Sequence, residues 1–311
     1  MGNNKPLVVI QCITYNHERY IRATLEGFVM QRTNFPFVAV VHDDASTDGT
    51  ADIIREFAEK YPHIIKPILE TENLYSKHDG SLGQVVLQAL DATGAKYLAY
   101  CEGDDYWTDP LKLQKQVDFL EANPEYSMCF HNAVEHWEDG SVADHLFAPL
   151  ENRDYDYEEI VKTWIVPTAS VIIRKEILDS NLYKRAINCE KFICGDIILW
   201  LTAAELGKVH CTGEIMSVYR RHIGGVTFSK SSNQAKHNIL HIQALPVIFG
   251  DKYKSFAVDS TVNIAYSMCL KKLRQHDYGS IWDYFLLSFK YAPLSTVKKF
   301  SLGLLKKIIG Y

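Results

Sequence analysis

Residues 37–50 read FVAVVHDDASTDGT, an apolar run that ends in a polar turn rich in aspartate. The apolar run predicts a buried strand. The following segment, ADIIREFAEKYP at 51–62, predicts a helix, because its apolar side chains recur at helical spacing and Pro62 closes it. A strand, a polar turn and a covering helix together form the repeating unit of a parallel α/β sheet.

The same unit occurs on both sides of this stretch. Before it, residues 7–13 predict a strand, and a helix capped by Asn16 follows. After it come further elements: a strand at 64–69, a helix at 81–92, a strand at 96–100, a helix at 110–123, strands at 126–137 and 169–174, and a helix at 196–206. We therefore predict an α/β fold with a mostly parallel sheet that is flanked by helices.

Beyond residue 233 the pattern is nearly continuous helix, with breaks at 276–279 and at Pro293. This change predicts an α/β domain at 1–228 and a helical C-terminal extension at 229–311. Residues 284–311 contain five lysines and no acidic residue, so the tail can lie on an anionic membrane surface. A helix that packs on the domain, or one that joins two copies in a homodimer, is the alternative.

Composition narrows the class of protein. The chain has 311 residues, of which 47% are hydrophobic and 23% charged, as in a globular protein with a large core. A net charge of −5 argues against nucleic acid as a partner. The cysteines are scattered without a C-x-x-C pair, the start has no secretory pattern, and no apolar run reaches about 18 residues. These features predict a cytoplasmic location.

Polar clusters follow three of the predicted strands: TYNHE at 14–18, HDDASTDGT at 42–50 and CEGDD at 101–105. In open α/β sheets, ligands bind where such loops converge at the carboxyl ends of the strands. In the second cluster we expect Asp48 to cap the next helix, and Asp44 to be the functional carboxylate.

In the third cluster the side chains of Glu102 and Asp104 are two positions apart, so on an extended segment they face the same way. A divalent cation, Mg²⁺ or Mn²⁺, would relieve their repulsion, with phosphate oxygens completing its coordination. A solvated acidic loop is the alternative.

Two other enzyme classes fit these clusters less well. The string STDGT is similar to a phosphatase loop D-x-D-G-T, but Ser46 stands where that loop needs its nucleophilic aspartate. A nucleotidyltransferase would need a glycine-rich, basic loop after the first strand to hold a triphosphate, and this chain has TYNHE there.

Four strings in order resemble the inverting family 2 glycosyltransferases of the GT-A fold, over about residues 6–228: VVIQCITYN at 8–16, VHDDASTDGT at 41–50, EGDDYWTDPLKL at 102–113 and CGDIILWLTAAELGKVHCTGEIMSVYRRH at 194–222. The resemblance implies transfer of a sugar from a nucleoside diphosphate sugar to an acceptor hydroxyl, with inversion by single displacement. Processive members carry a Q-x-x-R-W motif that this sequence lacks. The implied acceptor is therefore a saccharide or a lipid-linked saccharide, extended by few sugars in bacterial surface polysaccharide synthesis.

The resemblance also implies roles for particular residues. The nucleotide would be bound by residues after the first two strands: Thr14, Tyr15, Glu18 and Asp44. The D-x-D metal motif of the family falls on residues 102–104, where Glu102 replaces the first aspartate. Asp104 then inherits the role of ligand to Mn²⁺ or Mg²⁺, and Glu102 meets ribose or a metal-bound water. Asp105 is assigned to the donor site with them.

Later residues complete the implied site. Asp196 opens a helix and corresponds to the catalytic base, although Gly195 stands where other members often have a second acid. His222 matches a position that adds a metal or pyrophosphate contact, and Arg220 could neutralise the diphosphate. Trp107 and Trp200 either stack on an acceptor sugar or belong to the core.

Two functions remain as alternatives to sugar transfer: a metal-dependent phosphohydrolase, and a non-catalytic module that binds a nucleotide sugar or glycan. The combination of Asp44, Asp104 and Asp196 favours transfer over the module, because binding alone does not require a base.

Overall fold

The computed structural model describes residues 5–189, 191, 195–225 and 234–309, and within them the strands form one ten-stranded sheet. The strands are β1 (Val8–Thr14), β2 (Phe37–Asp43), β3 (Ile65–Leu69), β4 (Tyr97–Tyr100), β5 (Tyr106–Trp107), β6 (Tyr126–Trp137), β7 (His145–Leu146), β8 (Arg153–Asp154), β9 (Ile172–Arg174) and β10 (Lys208–Arg221). Their order is β3-β2-β1-β4-β9-β6-β10-β5, with β7 paired to β6 and β8 to β10.

The first half of this sheet is parallel, as predicted. β1 lies between β2 and β4, and all three run in the same direction as β3. The second half is mixed, because β9 runs antiparallel to β4 and β6 while β6 and β10 are parallel to each other. The continuous apolar run at the start of β1 is fully buried, since helices cover both faces of a parallel sheet.

Five helices accompany the sheet: α1 (Ile21–Val29), α2 (Thr50–Lys60), α3 (Ser81–Thr93), α4 (Lys112–Ala122) and α5 (Tyr157–Thr163). The core lies between the sheet and α1, α2 and α4, where Phe28, Ile54 and Leu113 join side chains from β1, β2 and β4. α3 also lies against β1 and β2, and its Val86 and Leu90 are buried. The α/β class with a helix-flanked sheet agrees with the prediction, although the sheet as a whole is mixed rather than mostly parallel.

The first helix begins later than the sequence predicted. α1 starts at Ile21, and Tyr20 precedes it without a side-chain cap, so Asn16 is not its cap. Asn16 has a φ of 56°, a left-handed conformation that asparagine tolerates better than most residues. Its amide oxygen accepts a hydrogen bond from the backbone N–H of Thr47 instead (2.8 Å). Residues 16–20 therefore form a loop after β1 that is hydrogen-bonded to the loop after β2, and they do not extend the helix.

The 14-residue strand β10 was not predicted from the sequence. Its pairing with β6 shifts register at Cys211 and again at Ile215, so the alternation of buried and exposed side chains is interrupted. Gly213 within this bulge has a φ of 71°, and a Cβ there would lie 2.8 Å from the backbone nitrogen of Asn152. Because the bulge interrupts the alternation of buried and exposed side chains, the sequence pattern did not indicate a strand here.

Trp107 and Trp200 are both core residues, each only 2% exposed. The indole N–H of Trp107 donates to the carbonyl of Ala169 (2.8 Å), and its ring lies 4.2 Å from the fully buried ammonium of Lys112. Lys112 also donates to the side chain of Gln116 (2.8 Å). Burial lowers the pKa of Lys112 to about 7 from an ordinary value of 10.5.

The buried amine gives a testable pH dependence. Between pH 7 and 10.5 the unfolded chain binds the Lys112 proton more tightly than the folded chain, so this residue makes stability rise with pH. Lys112→Met removes that contribution. Urea denaturation at pH 7, 8 and 9 measures the free energy of unfolding of both proteins. The wild-type value minus the variant value should increase with pH, by at most about 1.4 kcal/mol per pH unit.

The exposed Lys60→Met serves as the control for loss of a charge, and its difference from the wild type should not change over this range. Parallel pH profiles for the wild type and Lys112→Met would contradict a buried amine with a depressed pKa.

The chain divides into two compact units. The described residues of 5–179 and 203–225 form the first, and those of 180–202 and 234–309 form the second. The second unit thus includes the described part of 180–202, a segment that the sequence analysis placed in the α/β domain. Its helices are α6 (Asn181–Ile187), α8 (Gln234–Phe249), α9 (Lys254–Arg274), α10 (Tyr278–Tyr291) and α11 (Pro293–Ile309), and α7 (Gly195–Leu206) begins in it.

The first half of α11 packs within the second unit. Thr296 is fully buried, with its hydroxyl 2.7 Å from that of Ser288, and the ring of Phe300 lies 5.2 Å from Tyr266 and 5.1 Å from Phe285. The side chains of 303–309, which include Leu304, Leu305, Ile308 and Ile309 of the predicted membrane-binding tail, lie outside the described part of the chain. Among the helices that are described, none is both long and apolar enough to span a membrane.

Candidate active site

Three loops meet at one edge of the sheet because β1, β2 and β4 are parallel neighbours. They are residues 15–20 after β1, residues 44–49 after β2 and residues 101–105 after β4. The structure therefore brings together the three polar clusters predicted from the sequence, at the strand ends where ligands bind in such sheets.

The first two loops are joined by hydrogen bonds. The backbone N–H of Asn16 donates to the Ser46 hydroxyl (2.8 Å), and that of His17 donates to the Thr50 hydroxyl (2.8 Å). Ala45, in the second loop, has a φ of 59°. These contacts hold the first loop, and with it His17, against the start of α2.

Glu18 and Asp48 cover the N-terminus of α2. Glu18 accepts a hydrogen bond from the backbone N–H of Gly49 (3.2 Å), and Asp48 accepts one from that of Thr50 (3.0 Å). Carboxylates are favourable there because helix N-termini carry unpaired amides and a partial positive charge. Tyr15 in the same loop is 44% exposed.

Asp44 is buried at the end of β2, and both of its carboxylate oxygens accept backbone hydrogen bonds. Their donors are the amides of Leu74 (2.7 Å) and Tyr75 (3.0 Å). Asp44 therefore holds the loop at 73–77 against the strand end. Its carbonyl oxygen also accepts a bond from the side chain of Asn73 (3.1 Å).

The loop after β4 lies very close to the loop after β1. The Gly103 N–H donates to the carbonyl of Ile13 (3.0 Å), while the Thr24 hydroxyl in α1 contacts the carbonyls of Gly103 (3.0 Å) and Asp105 (2.6 Å). A Cβ at Gly103 would lie 2.6 Å from the side chain of Thr14, which is buried. Only glycine fits at the middle of the Glu102–Gly103–Asp104 motif.

Asp104 lies between two histidines. Its Oδ2 is 3.0 Å from Nε2 of His222, which follows β10, and 4.0 Å from Nε2 of His17. One ligand atom from each of the three residues lies within 4.8 Å of the others. Tyr20 contacts this cluster through its ring, 4.5 Å from that of His222. The donor set of two imidazoles and a carboxylate is suited to a divalent transition metal.

The electrostatics of the cluster favour the forms of Asp104 and His17 that bind metals. Burial raises the pKa of Asp104, but the hydrogen bond from His222 and the charges of His17 and His222 outweigh it and hold the pKa below its usual range. Burial lowers the pKa of His17. The carboxylate is therefore ionised and the His17 imidazole neutral near pH 7, as coordination requires.

Asp105 and Arg220 connect the loop after β4 to the end of β10. Asp105 is buried, and its Oδ1 accepts a hydrogen bond from the backbone N–H of Arg220 (2.8 Å). Burial and the neighbouring charge of Asp104 raise the pKa of Asp105 well above its usual value. In turn the Arg220 guanidinium donates to the carbonyl of Asp104 (3.1 Å). These bonds place His222 beside Asp104.

The guanidinium of Arg220 has an acidic partner. Its Nε lies 3.0 Å from Oε1 of Glu138, and it lies 4.4 Å from the centre of the Tyr106 ring. Its charge is thus already paired in this structure. Glu102, at the start of the loop, is half-buried, and its carbonyl accepts a hydrogen bond from the backbone N–H of Asp105 (3.2 Å).

Asp196 lies in the second unit, in the first turn of α7, where it is half-buried. Its Oδ1 accepts a hydrogen bond from the backbone N–H of Ile197 (2.8 Å). His17 is not among the site residues predicted from the sequence, although its loop TYNHE is, because the resemblance assigns that loop to the nucleotide. The feature of the sequence that could have identified His17 is a histidine in a loop at a strand end, where an acidic loop is predicted to converge.

A model described as Glycosyl transferase family 2 matches residues 10–182, which is more than half of the chain. The chain belongs to this family, as the resemblance predicted. The crystal structure of residues 1–349 of Staphylococcus aureus TarS in complex with UDP-GlcNAc has a TM-score of 0.56 to it at 15% identity, and the match covers 91% of each chain. That likeness supports the GT-A fold.

Two relatives illustrate the similarity in sequence. An uncharacterized protein of Mycobacterium tuberculosis is 38% identical over 228 residues, which is 73% of this chain and 62% of that protein. This chain thus spans less than two thirds of that relative. The Escherichia coli enzyme named UDP-Glc:alpha-D-GlcNAc-diphosphoundecaprenol beta-1,3-glucosyltransferase WfaP is 28% identical over 225 residues, which is 72% of this chain and 81% of that enzyme.

The tight approach at Gly103 can be tested by adding one methyl group. Gly103→Ala should destabilise the protein by about 1 to 3 kcal/mol, because the new Cβ displaces the loop from Thr14 and His17. Displacement of Asp104 should also weaken Mn²⁺ binding. Thermal unfolding and Mn²⁺ titration by calorimetry measure the two effects.

Gly83→Ala is the matched control, since a Cβ there would meet nothing within 4 Å and the residue lies in α3. It should be neutral or stabilising by about 0.5 to 1 kcal/mol. If Gly103→Ala behaves like this control, the loop is not held by close packing.

Proposed function

We propose that this chain transfers a sugar from a nucleoside diphosphate sugar to an acceptor hydroxyl, with inversion at the anomeric carbon. The observation that carries the proposal is the convergence of His17, Asp104 and His222 at the carboxyl edge of the sheet. Membership of family 2 supports the same reaction. A metal-dependent phosphohydrolase and a non-catalytic binding module are the competing functions.

The donor set fits a divalent metal that binds nitrogen and oxygen together. Mg²⁺ prefers an octahedron of oxygens, whereas Mn²⁺ accepts imidazole more readily, so Mn²⁺ is the proposed ion. Asp104 and His222 would hold it, with His17 as a third ligand. When bound, the metal supplies Lewis-acid stabilisation of the charge that develops on the departing diphosphate.

The chain's own residues position this site and move the proton. Gly103 and Thr24 fix the backbone on both sides of Asp104, and Asp105 fixes the end of β10. Asp196 is the proposed base: it takes the proton of the acceptor hydroxyl as the acceptor oxygen forms its bond to the anomeric carbon. The bond from that carbon to the diphosphate breaks in the same step, and its electron pair leaves with the diphosphate.

The nucleotide is proposed to lie over the loops after β1 and β2. Tyr15 offers an exposed ring there, and Thr14 has a buried hydroxyl that lacks a hydrogen-bond partner within the described residues. Glu18 and Glu102 are proposed to line the side of this nucleotide site that faces the ribose. Because Asp44 holds the 73–77 loop through two backbone bonds, we assign it to shaping the base pocket. Arg220 would reach the diphosphate only by exchanging its contact with Glu138.

The acceptor is proposed to be a saccharide, free or linked to a lipid, in bacterial surface polysaccharide synthesis. The name of WfaP specifies a sugar on diphosphoundecaprenol, which supports a lipid-linked acceptor for this chain. Such an acceptor would be met at the cytoplasmic face of a membrane. Incubation with a panel of nucleotide sugars separates the functions: acceptor-dependent release of diphosphate supports transfer, acceptor-independent release of phosphate supports hydrolysis, and binding without turnover supports the module.

The metal assignment predicts that nucleoside diphosphate binding depends on Mn²⁺ and that Asp104→Asn removes this dependence. Calorimetric titration with UDP, GDP, dTDP and CDP, in Mn²⁺ and in EDTA, measures this dependence. We expect the wild type to bind the nucleoside diphosphate at least about tenfold more weakly in EDTA, and Asp104→Asn to bind it equally in both. Asp118→Asn, on the exposed side of α4, is the control and should bind like the wild type. Equal affinity of the native protein with Mn²⁺ and with EDTA would refute the metal site.

The base assignment predicts that Asp196→Asn lowers turnover by about 10² to 10⁴ while donor binding persists. Asparagine keeps much of the ability to cap a helix, so the fold should survive. Asp277→Asn is the matched control, because Asp277 caps α10 through the backbone N–H of Ser280 (3.2 Å) and has no proposed role in transfer. Full turnover of Asp196→Asn would leave Asp196 a structural residue.

A further inference from the structure

Helix α10 exposes four large apolar side chains along one side. Tyr278, Trp282, Leu286 and Phe289 are 60%, 64%, 44% and 38% exposed. Their spacing of four, four and three residues places them on one stripe of a helix. The other side of α10 is buried, where Tyr284 joins a core with Ile239, Ala265 and Cys269 of α8 and α9. We call these four exposed residues the α10 stripe.

The stripe continues into packed aromatic rings. The Trp282 ring lies 5.8 Å from that of Phe285, which stacks at 5.7 Å on the ring of Phe289. Phe285 also contacts Phe300 of α11 (5.1 Å), so the row of rings is anchored in the second unit. An ordered row of exposed aromatic side chains marks an interaction surface rather than scattered surface residues.

The sequence around the stripe is predominantly basic. Residues 254–311 contain nine basic and three acidic side chains, although the whole chain has a net charge of −5. The two acidic residues nearest the stripe in sequence are paired, Asp277 with Lys272 (3.0 Å) and Asp283 with Lys236 (2.8 Å).

Other basic residues lie at both ends of the stripe. Lys271 and Arg274 are exposed at the end of α9, which precedes it, and Lys290 is exposed at the end of α10. The partner of this surface must therefore accept both apolar insertion and positive charge.

We propose that the α10 stripe and its flanking basic residues form a surface that binds an anionic lipid bilayer. Tyrosine and tryptophan prefer the interfacial region of a bilayer, because their rings are apolar and their polar groups reach the headgroups. Lysine and arginine at both ends would contact anionic headgroups while Leu286 and Phe289 enter the acyl boundary. The ligand is the lipid surface itself, so the proposal does not depend on sugar transfer.

A second copy of the chain fits this surface less well. In a two-fold dimer each stripe would face the other, and the same basic residues would approach one another without acidic partners. The surface shares Leu286, Phe289 and Lys290 with the tail at 284–311 that the sequence pattern indicated. Further along that tail, Thr296 and Phe300 of α11 pack inside the second unit instead. The exposed aromatic residues of α10 therefore carry the proposal.

Flotation of the full chain with vesicles tests the proposal. We expect binding to vesicles of phosphatidylcholine and phosphatidylglycerol at a ratio of about 7:3, and much weaker binding to phosphatidylcholine alone or at high salt. The double variant Trp282→Ala with Phe289→Ala should bind at least about tenfold less. Leu87→Ala, at an exposed position of α3 in the first unit, is the control and should bind like the wild type.

A second measurement reports the position of the stripe. Vesicles with brominated acyl chains should quench the tryptophan emission of the wild type, and the quenched component should be lost in Trp282→Phe, which keeps an apolar ring and should still bind. Absence of binding to anionic vesicles at low salt, or full binding by the double variant, overturns the proposal. A dimer in solution that the double variant dissociates, without vesicle binding, would make the stripe an interface between copies. In any of these cases, transfer to a soluble acceptor would leave the proposed function intact.

Discussion

The close approach of Gly103 to Thr14 and His17 is the contact on which the candidate active site depends. It brings the loop after β4 against the loop after β1, where a Cβ would be 2.6 Å from the Thr14 side chain and 3.0 Å from Nδ1 of His17. The hydroxyl of Thr24 holds the same loop from α1. Asp104 can reach both histidines only because the backbone beside it is packed this tightly.

The partners of Asp104 are positioned by buried polar groups from distant parts of the chain. His17 is held by the hydrogen bond of its backbone to Thr50, and His222 by the bond between Asp105 and the backbone of Arg220. Buried polar groups of this kind are costly when unpaired, so each one restricts its neighbours to a single arrangement. The arrangement of the three proposed metal ligands is thus a consequence of how three loops and one strand end are cross-linked.

Several predicted functional residues turn out to have structural partners as well. Asp44 holds a loop, Glu18 covers the start of α2, Asp105 holds the end of β10 and Arg220 pairs with Glu138. A carboxylate or guanidinium at a strand end can bind a ligand or organise the loop that binds it. For these residues the sequence predicted that they lie at the candidate active site. Their contacts show how the loops of that site are held in position.

The sequence by itself determined the α/β class, the parallel half of the sheet and the family. Short apolar runs predicted β1 to β4, and apolar residues at helical spacing predicted the helices between them, because such local patterns reflect which side chains are buried. It did not reveal β10, because the bulge around Gly213 breaks the alternation, nor did it select His17, whose role depends on its distance from Asp104. The resemblance already placed residues 104 and 222 in one site, and only the tertiary structure brought residue 17 beside them. The exposure of the α10 stripe was likewise decided there, because a helical repeat of apolar residues does not show which side is buried.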